Sequence, residues 1–211
     1  LRSLVGSEMC IRDSDHDEDG HYDTISAFIK SLRGSDPNAA IYWLAKMLYA
    51  GEDPRFIARR MIIFASEDIG NADPRALDMA ISGMLAVDFV GMPEVRIVLS
   101  HVATYLATAP KSNASYLAIE HAWHDVENNK ILPVPQHLKN VKVRTDNENK
   151  EASAKYKYPH DYEGHVVEQK YVPTTEIYYQ PTDQGYEDII KKRIETWKKI
   201  TSFSKEKTKN A

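Results

Sequence analysis

The sequence predicts a mainly α-helical protein: a compact helical bundle, then an irregular segment rich in tyrosine and proline, then a terminal helix. Two observations favour this fold class. Between Tyr22 and Asn129, apolar residues recur every three or four positions, which places them on one face of successive helices. The breaks between these segments carry residues that start and end helices, so the two signals agree.

Aspartate followed by proline marks three helix starts, at Asp36-Pro37, Asp53-Pro54 and Asp73-Pro74. The carboxylate accepts a hydrogen bond from a free N–H group of the first turn, and proline suits the first helical position because its missing N–H costs nothing there. Glycines suited to closing the preceding helices stand at positions 34, 51, 70 and 91. The predicted helices cover residues 22–33, 37–50, 54–69 and 74–90, with a fifth from Pro93 and a sixth after Ser112.

Each of these helices except the fourth has a predicted buried face, drawn from residues that share one side of the helix. In chain order the faces are Ile25, Phe28, Ile29 and Leu32; Ile41, Leu44, Ala45 and Leu48; Ile57, Met61, Phe64 and Ala65; Ile97, Val98, Val102, Tyr105 and Leu106; and Tyr116, Ile119, Ala122, Trp123 and Val126.

After Asn129 the sequence changes character, because prolines interrupt a segment rich in Tyr, Asn, Glu and His. Two short runs, 171–172 and 176–179, suggest a small hairpin, and residues 186–200 suggest a terminal helix. Four segments are expected: 1–21, which looks non-native or disordered and begins with the adapter-like run LRSLVGSEMCIRDS; 22–145, a helical domain; 146–190, an irregular extension that packs on the bundle; and 191–211, a basic helix and tail.

The net charge of −4 is unevenly distributed: residues 22–145 carry thirteen basic and thirteen acidic groups, whereas residues 191–211 carry eight and two. A domain that binds duplex DNA by charge alone is expected to be basic throughout, and the helical domain is not. Lys191, Lys192 and Arg193, near Trp197, are candidate contacts to single-stranded nucleic acid, because basic groups neutralise phosphates and tryptophan stacks on bases. A solvated amphipathic helix is the simpler interpretation.

The motifs of several enzyme and metal-binding classes are missing or incomplete. No glycine precedes a lysine, so the phosphate-binding loop that ends in Gly-Lys-Ser/Thr is absent, and the chain alone is expected neither to bind ATP there nor to hydrolyse it. The acidic run from Asp15 to Gly20 resembles the start of a calcium-binding loop, but the twelfth position is Ser26 instead of glutamate. Cys10 has no second cysteine to pair with. No cofactor or metal is therefore expected in this chain, and no apolar run reaches the ~18 residues that favour a membrane span.

Charged residues on the third and sixth helices are open to two interpretations. Arg59 and Arg60 with Glu67 and Asp68 favour salt bridges within one helix, with an intersubunit or phosphate contact as the alternative. Lys111 precedes the sixth helix, where free N–H groups and a lysine suit an anion. The cluster Glu120, His121, His124 and Asp125 is better explained as a solvated helix face than as a metal site.

Four long strings of the sequence occur in the order typical of one family: YDTISAFIKSLRGSDPNAAIYWLAKML, AGEDPRFIARRMIIFASEDIGNADPRAL, LATAPKSNASYLAI and KYPHDYEGHVVEQKYVP. They closely resemble the C-terminal region of the replication-associated recombination protein A family, whose eukaryotic relative is the Werner-helicase-interacting ATPase. The resemblance covers residues 22–186. It implies a helical domain similar to the clamp-loader collar, which assembles the protein into homotetramers.

The resemblance also implies properties of a longer protein. In the family an AAA+ ATPase domain, which binds ATP and Mg²⁺, and a lid domain precede the collar. The implied partners are DNA forks, ends or single strands and the single-stranded-DNA-binding protein, in the cytoplasm and nucleoid of a bacterium or in a eukaryotic nucleus. The family motifs fall at Arg33-Gly34-Ser35, Arg59-Arg60, residues 66–71 and Pro110-Lys111-Ser112-Asn113. The implied assembly or DNA contacts are Arg33, Arg59, Arg60, Glu67, Asp68, Asn71, Lys111 and Asn113.

Overall fold

The computed structural model describes residues 18–128, 130–139 and 156–209, with side chains described between Tyr22 and Thr201 of these ranges. The adapter-like run at the N-terminus, the carboxylates of the calcium-like run and the boundary expected at residues 145–146 lie outside the described residues. The lysines of residues 202–211 also lie outside the described side chains.

The described residues form seven α-helices and no strand, which confirms the mainly α-helical class. The helices are α1 (Glu18–Arg33), α2 (Pro37–Tyr49), α3 (Pro54–Phe64), α4 (Arg75–Val90), α5 (Val95–Thr108), α6 (Ala114–Glu127) and α7 (Tyr186–Lys209). The hairpin suggested for residues 171–172 and 176–179 is wrong, because these residues adopt neither helix nor strand. The terminal helix exists and extends beyond residue 200.

Two of the three Asp-Pro starts are confirmed by hydrogen bonds. The carboxylate of Asp36 accepts from the N–H of Ala39 at 2.9 Å, and that of Asp53 accepts from the N–H of Arg55 at 2.9 Å. At the third pair α4 begins at Arg75, one residue beyond the predicted first position, with Pro74 as its N-cap residue. Before α4 the chain leaves α3 through a wide π-helical turn, Ala65–Ile69, and a 3₁₀ turn, Gly70–Ala72.

The chain forms two structural units. The first contains the described residues up to Ile69 and Pro74–Ala109, and therefore α1 to α5; the second contains Gly70–Asp73 and the residues from Pro110 onward, with α6 and α7. In the first unit α1 packs on α2, α2 on α5, α3 on α4 and α4 on α5. Phe28, Leu32, Ile57, Phe64 and Leu99 are among the fully buried side chains of this core.

The predicted buried faces of α1 and α3 are confirmed, because all eight residues named for them are buried. The faces predicted for α2, α5 and α6 are partly or wholly wrong. The buried line of α2 is Ala40, Leu44 and Met47, and on α5 Ile97 is exposed while Val95, Leu99, Val102, Ala103, Leu106 and Ala107 are buried. On α6 only Ala114 is buried. These helices are apolar on more than one side, so periodicity alone does not select the covered side.

No helix in the described ranges is both long and apolar enough to span a membrane. Among the described residues no cluster of histidine, cysteine, aspartate and glutamate is arranged to hold a metal ion.

Candidate assembly surfaces and polar junction

Helix α4 carries small residues on its buried side and large apolar residues on its exposed side. Ala76, Ala80, Gly83 and Val87 face inward. A Cβ atom at Gly83 would lie 2.8 Å from Cγ2 of Val102, so α4 and α5 pack too closely there for a larger side chain. The outward side bears Leu77, Ile81, Leu85 and Phe89. Phe89 is 87% exposed.

The outward side of α4 has the arrangement expected of an interface. Single apolar residues scattered on a surface are normal, whereas a contiguous apolar strip marks a contact with another molecule. Residues four apart on a helix are neighbours, so the four outward residues of α4 form such a strip.

An open groove of about 670 Å³ lies between α2 and α5. It is lined by Ile41, Leu44, Ala45, Leu48, Tyr49, Met92, Arg96, Ile97 and Ser100. The lining includes all four residues of the buried face predicted for α2, together with Ile97 of α5. Of these residues Leu44 is buried in the core, and Ile41 and Leu48 pack against the core on one side and border the groove on the other.

Helix α6 presents a second apolar strip, in the other unit. Tyr116, Ile119, Trp123 and Val126 follow the alternating three- and four-residue spacing of a coiled-coil seam, and all four are exposed. The indole N–H of Trp123 donates to Oε1 of Glu127 at 2.5 Å, which holds the ring on the helix surface. The strip therefore has the pattern of a helix that packs against another helix.

A buried carboxylate at the start of α7 connects several segments of the second unit through hydrogen bonds. Glu187 is fully buried. Its Oε2 accepts hydrogen bonds from Ser112 Oγ at 2.6 Å, from the N–H of Thr182 at 2.9 Å and from Thr182 Oγ1 at 2.7 Å. Its Oε1 accepts from the hydroxyl of Tyr179 at 3.0 Å. Burial alone would raise the pKa of Glu187, but these hydrogen bonds outweigh it and hold the pKa below the ordinary value.

Asn71 extends this network, which we call the polar junction (Asn71, Ser112, Ser115, Tyr179, Thr182 and Glu187). The amide of Asn71 donates to Ser115 Oγ and to the hydroxyl of Tyr179, both at 3.2 Å. The junction unites two family motifs, one that ends at Asn71 and one that contains Ser112. Sequence reasoning missed Glu187 and Tyr179, because Glu187 lies 75 residues from Ser112 and no local motif marks either residue.

Asp125 forms a second set of polar contacts within the same unit. Its carboxylate accepts from Lys130 Nζ at 2.7 Å and from the hydroxyl of Tyr178 at 3.0 Å. The hydrogen bond from Lys130 is the largest cause of the lowered pKa of Asp125. This residue therefore serves as an ion-pair partner within the chain.

The basic candidates of the first unit have separate environments. Arg33 pairs with Asp68 and lies 3.7 Å from Glu67, so the acidic pair contacts α1. Within the described ranges neither carboxylate forms the expected salt bridge with Arg59 or Arg60. The guanidinium of Arg59 lies 5.9 Å from the ring centre of Phe56. Nε of Arg60 is buried and has no hydrogen-bond partner in the part of the chain described.

The remaining candidates lie in the second unit. Lys191 pairs with Asp183, Lys192 with Asp188, and Arg193 donates to the hydroxyl of Tyr186. Lys111 is partly buried, and Asn113 is exposed at the start of α6, where Ser112 Oγ accepts from the N–H of Ala114 at 3.2 Å. Within the second unit the structure therefore brings Asn71 and the motif around Ser112 together.

The described residues define an all-helical domain. The family model described as MgsA AAA+ ATPase C terminal matches residues 34–198, and the chain belongs to this family. The resemblance to the replication-associated recombination protein A family is thereby confirmed.

Three relatives illustrate the similarity. An uncharacterized AAA domain-containing protein of Mycobacterium tuberculosis is 47% identical over 189 residues, which cover 88% of this chain and 42% of the relative. Replication-associated recombination protein A of Bacillus subtilis is 41% identical over 197 residues, 90% of this chain and 46% of the relative. ATPase WRNIP1 of Dictyostelium discoideum is 47% identical over 126 residues, 60% of this chain and 14% of the relative. The chain thus spans less than half the length of each of these proteins.

Proposed function

We propose that this chain is the self-association region of an AAA+ ATPase that acts in replication-associated recombination, and that it assembles as a homotetramer. The observation that carries the proposal is the exposed apolar strip of α4, whose large side chains face outward while its small ones face the core. The function in replication-associated recombination is supported by the name of the Bacillus subtilis relative.

Two apolar strips support a tetramer over a dimer. A homotetramer built from two-fold axes uses two kinds of interface, each self-complementary. The strip on α4 lies in the first unit and the strip on α6 lies in the second. Each unit therefore offers one surface that could serve one kind of contact.

The chemistry of the full-length protein is proposed to lie outside this chain. ATP and Mg²⁺ would be bound by the ATPase domain that the family resemblance implies, and this chain alone would have no enzymatic activity. DNA forks, ends or single strands and the single-stranded-DNA-binding protein are the proposed partners of the assembled protein, in the cytoplasm and nucleoid of a bacterium or in a eukaryotic nucleus.

The alternative function is a module that binds single-stranded nucleic acid or a partner protein through the basic tail. It is less well supported, because Lys191 and Lys192 are already paired with acidic neighbours. If it were correct, the chain would bind a labelled single-stranded oligonucleotide with strong salt dependence, and removal of residues 191–211 would abolish the binding.

The mass of the chain in solution tests the proposal. We expect light scattering coupled to size-exclusion chromatography to give the mass of a tetramer for the 211-residue chain at two protein concentrations. A monomer mass at both concentrations would contradict self-association by this chain and favour the alternative.

A further inference from the structure

We propose that the exposed end of α4 in one copy of this chain inserts into the groove between α2 and α5 of a second copy. The inserting surface, which we call the α4 knob, consists of Leu85 and Phe89. This inference rests on the proposed self-association and assigns it a specific contact.

The knob and the groove match in chemistry. Phe89 is 87% exposed, and Leu85, one turn earlier on the same side of the helix, is 55% exposed. Apart from Arg96 and Ser100, the groove is lined by aliphatic residues and Tyr49, and its volume of about 670 Å³ exceeds that of one aromatic side chain. Phe89 carries no polar group in its side chain, so the ring buries no polar atom of its own when it inserts.

The groove of the same copy is not the site that Phe89 fills. Phe89 is absent from the residues that line the groove, and its ring is almost fully exposed. A second copy supplies the same knob from outside. Contact between copies therefore covers two apolar surfaces that the folded chain leaves open.

Charge also favours a second copy. Arg96 is exposed at the groove and makes no ion pair within the described residues. The residue before Phe89 is Asp88, whose side chain remains 45% exposed although it accepts a hydrogen bond from Arg55 at 2.6 Å. An inserted knob would bring the negative charge of Asp88 toward Arg96 of the other copy, and the opposite charges would attract.

The order of these residues along the chain favours a closed contact. The α4 knob ends at Phe89, and the first groove residue on the α5 side is Met92. Because the two surfaces lie at neighbouring positions, two copies related by a two-fold axis can each give a knob and receive one. Such a contact closes on itself and does not extend into a filament.

Two aspartate variants test the two halves of the contact. We expect Phe89→Asp and Ile97→Asp each to lower the oligomer mass of the full chain about twofold, because each places a charge in one half of this interface while the other kind of interface persists. Ile63→Asp is the matched control: Ile63 is also an exposed isoleucine on a helix of the first unit, but it lies outside the knob and the groove. Circular dichroism should show unchanged helix content in all three variants, because all three residues are exposed.

A mixture of the two variants is the decisive measurement. A copy with Phe89→Asp keeps its groove, and a copy with Ile97→Asp keeps its knob, so mixing them restores one intact knob-in-groove contact. We expect native mass spectrometry to show mixed oligomers larger than either variant forms alone.

The outcomes separate this inference from the proposed function. A wild-type chain that is monomeric contradicts both. An oligomeric wild type whose mass is unchanged by Phe89→Asp or Ile97→Asp overturns the knob-in-groove contact and leaves self-association standing. The contact is also overturned if Ile63→Asp lowers the mass equally, or if mixing restores nothing. If Phe89→Asp fails to fold, Phe89→Ser, which removes the ring without adding a charge, replaces it with the same expected result.

Discussion

Arg33, the last residue of α1, holds Asp68 through two hydrogen bonds, with 2.5 Å between Nε and Oδ1 and 3.0 Å between Nη2 and Oδ2. Asp68 lies in the π-helical turn that follows α3. The hydrogen bond with Asp68 is the largest cause of the raised pKa of Arg33. Both residues are candidates for assembly or DNA contact on sequence grounds, and the structure pairs them with each other. Their most direct role is to fasten the wide turn to α1.

We expect Arg33→Lys to destabilise the fold by about 1 kcal/mol, since lysine cannot form the two-pronged contact and water screens a half-exposed pair. Denaturant unfolding measured at low and high salt checks this, and the difference from wild type should shrink at high salt. The matched control is Arg55→Lys, because Arg55 makes a single hydrogen bond to Asp88 in an exposed pair and should tolerate lysine with little change. An equal loss for both variants would contradict a special role for the two-pronged contact.

The buried carboxylate of Glu187 should make stability depend on acid pH. Its pKa is lowered on folding from the ordinary 4.5, so its contribution is fully present above that pH and is lost as the pH falls through the lower folded value. In Glu187→Gln, the amide oxygen can take the place of Oε2, but the NH₂ group then replaces Oε1 and cannot accept the hydrogen bond from the hydroxyl of Tyr179. We expect Glu187→Gln to cost about 2 kcal/mol at neutral pH.

The difference between wild type and Glu187→Gln should be smaller at about pH 3 than at neutral pH, because below 4.5 the unfolded wild type takes up a proton more readily than the folded state, whose Glu187 pKa is lowered. Denaturant unfolding at the two pH values measures it. Glu195→Gln, on an exposed part of the same helix, is the control and should change neither value appreciably. If the free energies of unfolding of Glu187→Gln and wild type differ by the same amount at both pH values, the charge of Glu187 does not contribute to stability.

Gly185, just before α7, has no room for a side chain. Its φ is +52°, and a Cβ atom there would lie 2.2 Å from the carbonyl oxygen of Ala72 and 2.7 Å from Cγ of Pro110. We expect Gly185→Ala to destabilise the second unit by more than about 2 kcal/mol, because backbone strain and a clash with the main chain add together. Hydrogen exchange of the α7 amides should rise in parallel.

Gly51→Ala separates strain from clash. Gly51 has a φ of +87°, but nothing lies within 4 Å of the position of its Cβ. Its replacement should cost only the backbone strain, about 1 kcal/mol. If the two alanine variants lose the same stability, the close approach of Gly185 to Ala72 is not important.

The helices were predictable from the sequence because their signals are local. An Asp-Pro pair and a following apolar period lie within a few turns of each other, and at Asp36 and Asp53 the expected capping bonds form. The polar junction was not predictable, because Glu187 accepts a hydrogen bond from Ser112, which lies 75 residues away in the sequence. The turns of residues 65–72 were not predictable either, because the pattern of apolar residues does not distinguish π and 3₁₀ turns from a continuing helix.

The errors on α2, α5 and α6 have a different cause, which bears on function. An apolar face that packs within the chain and one that packs against another molecule have the same sequence pattern. Ile41 and Leu48 were assigned to the core, and they pack partly buried against it while also lining an open groove. Trp123 was assigned to the core as well and is 63% exposed. If another copy covers these faces in an assembly, the burial predicted from the sequence is correct for the assembly, although not for the single chain.

Trp123→Ser tests the strip on α6 independently of α4. Trp123 is exposed and contacts Glu127 on its own helix, so its replacement should leave the stability of the chain nearly unchanged. If the strip is the second of the two interfaces of a tetramer, the variant should have about half the mass of wild type. Light scattering measures the mass, and unfolding by heat measures the stability of the same sample.

Tyr42→Ser, which also replaces an exposed aromatic residue but lies outside the strip, is the control and should keep the wild-type mass. If Trp123→Ser keeps the full tetramer mass, the α6 strip is not part of the assembly. If Trp123→Ser is a monomer, α6 supports every contact between copies and the groove between α2 and α5 supports none.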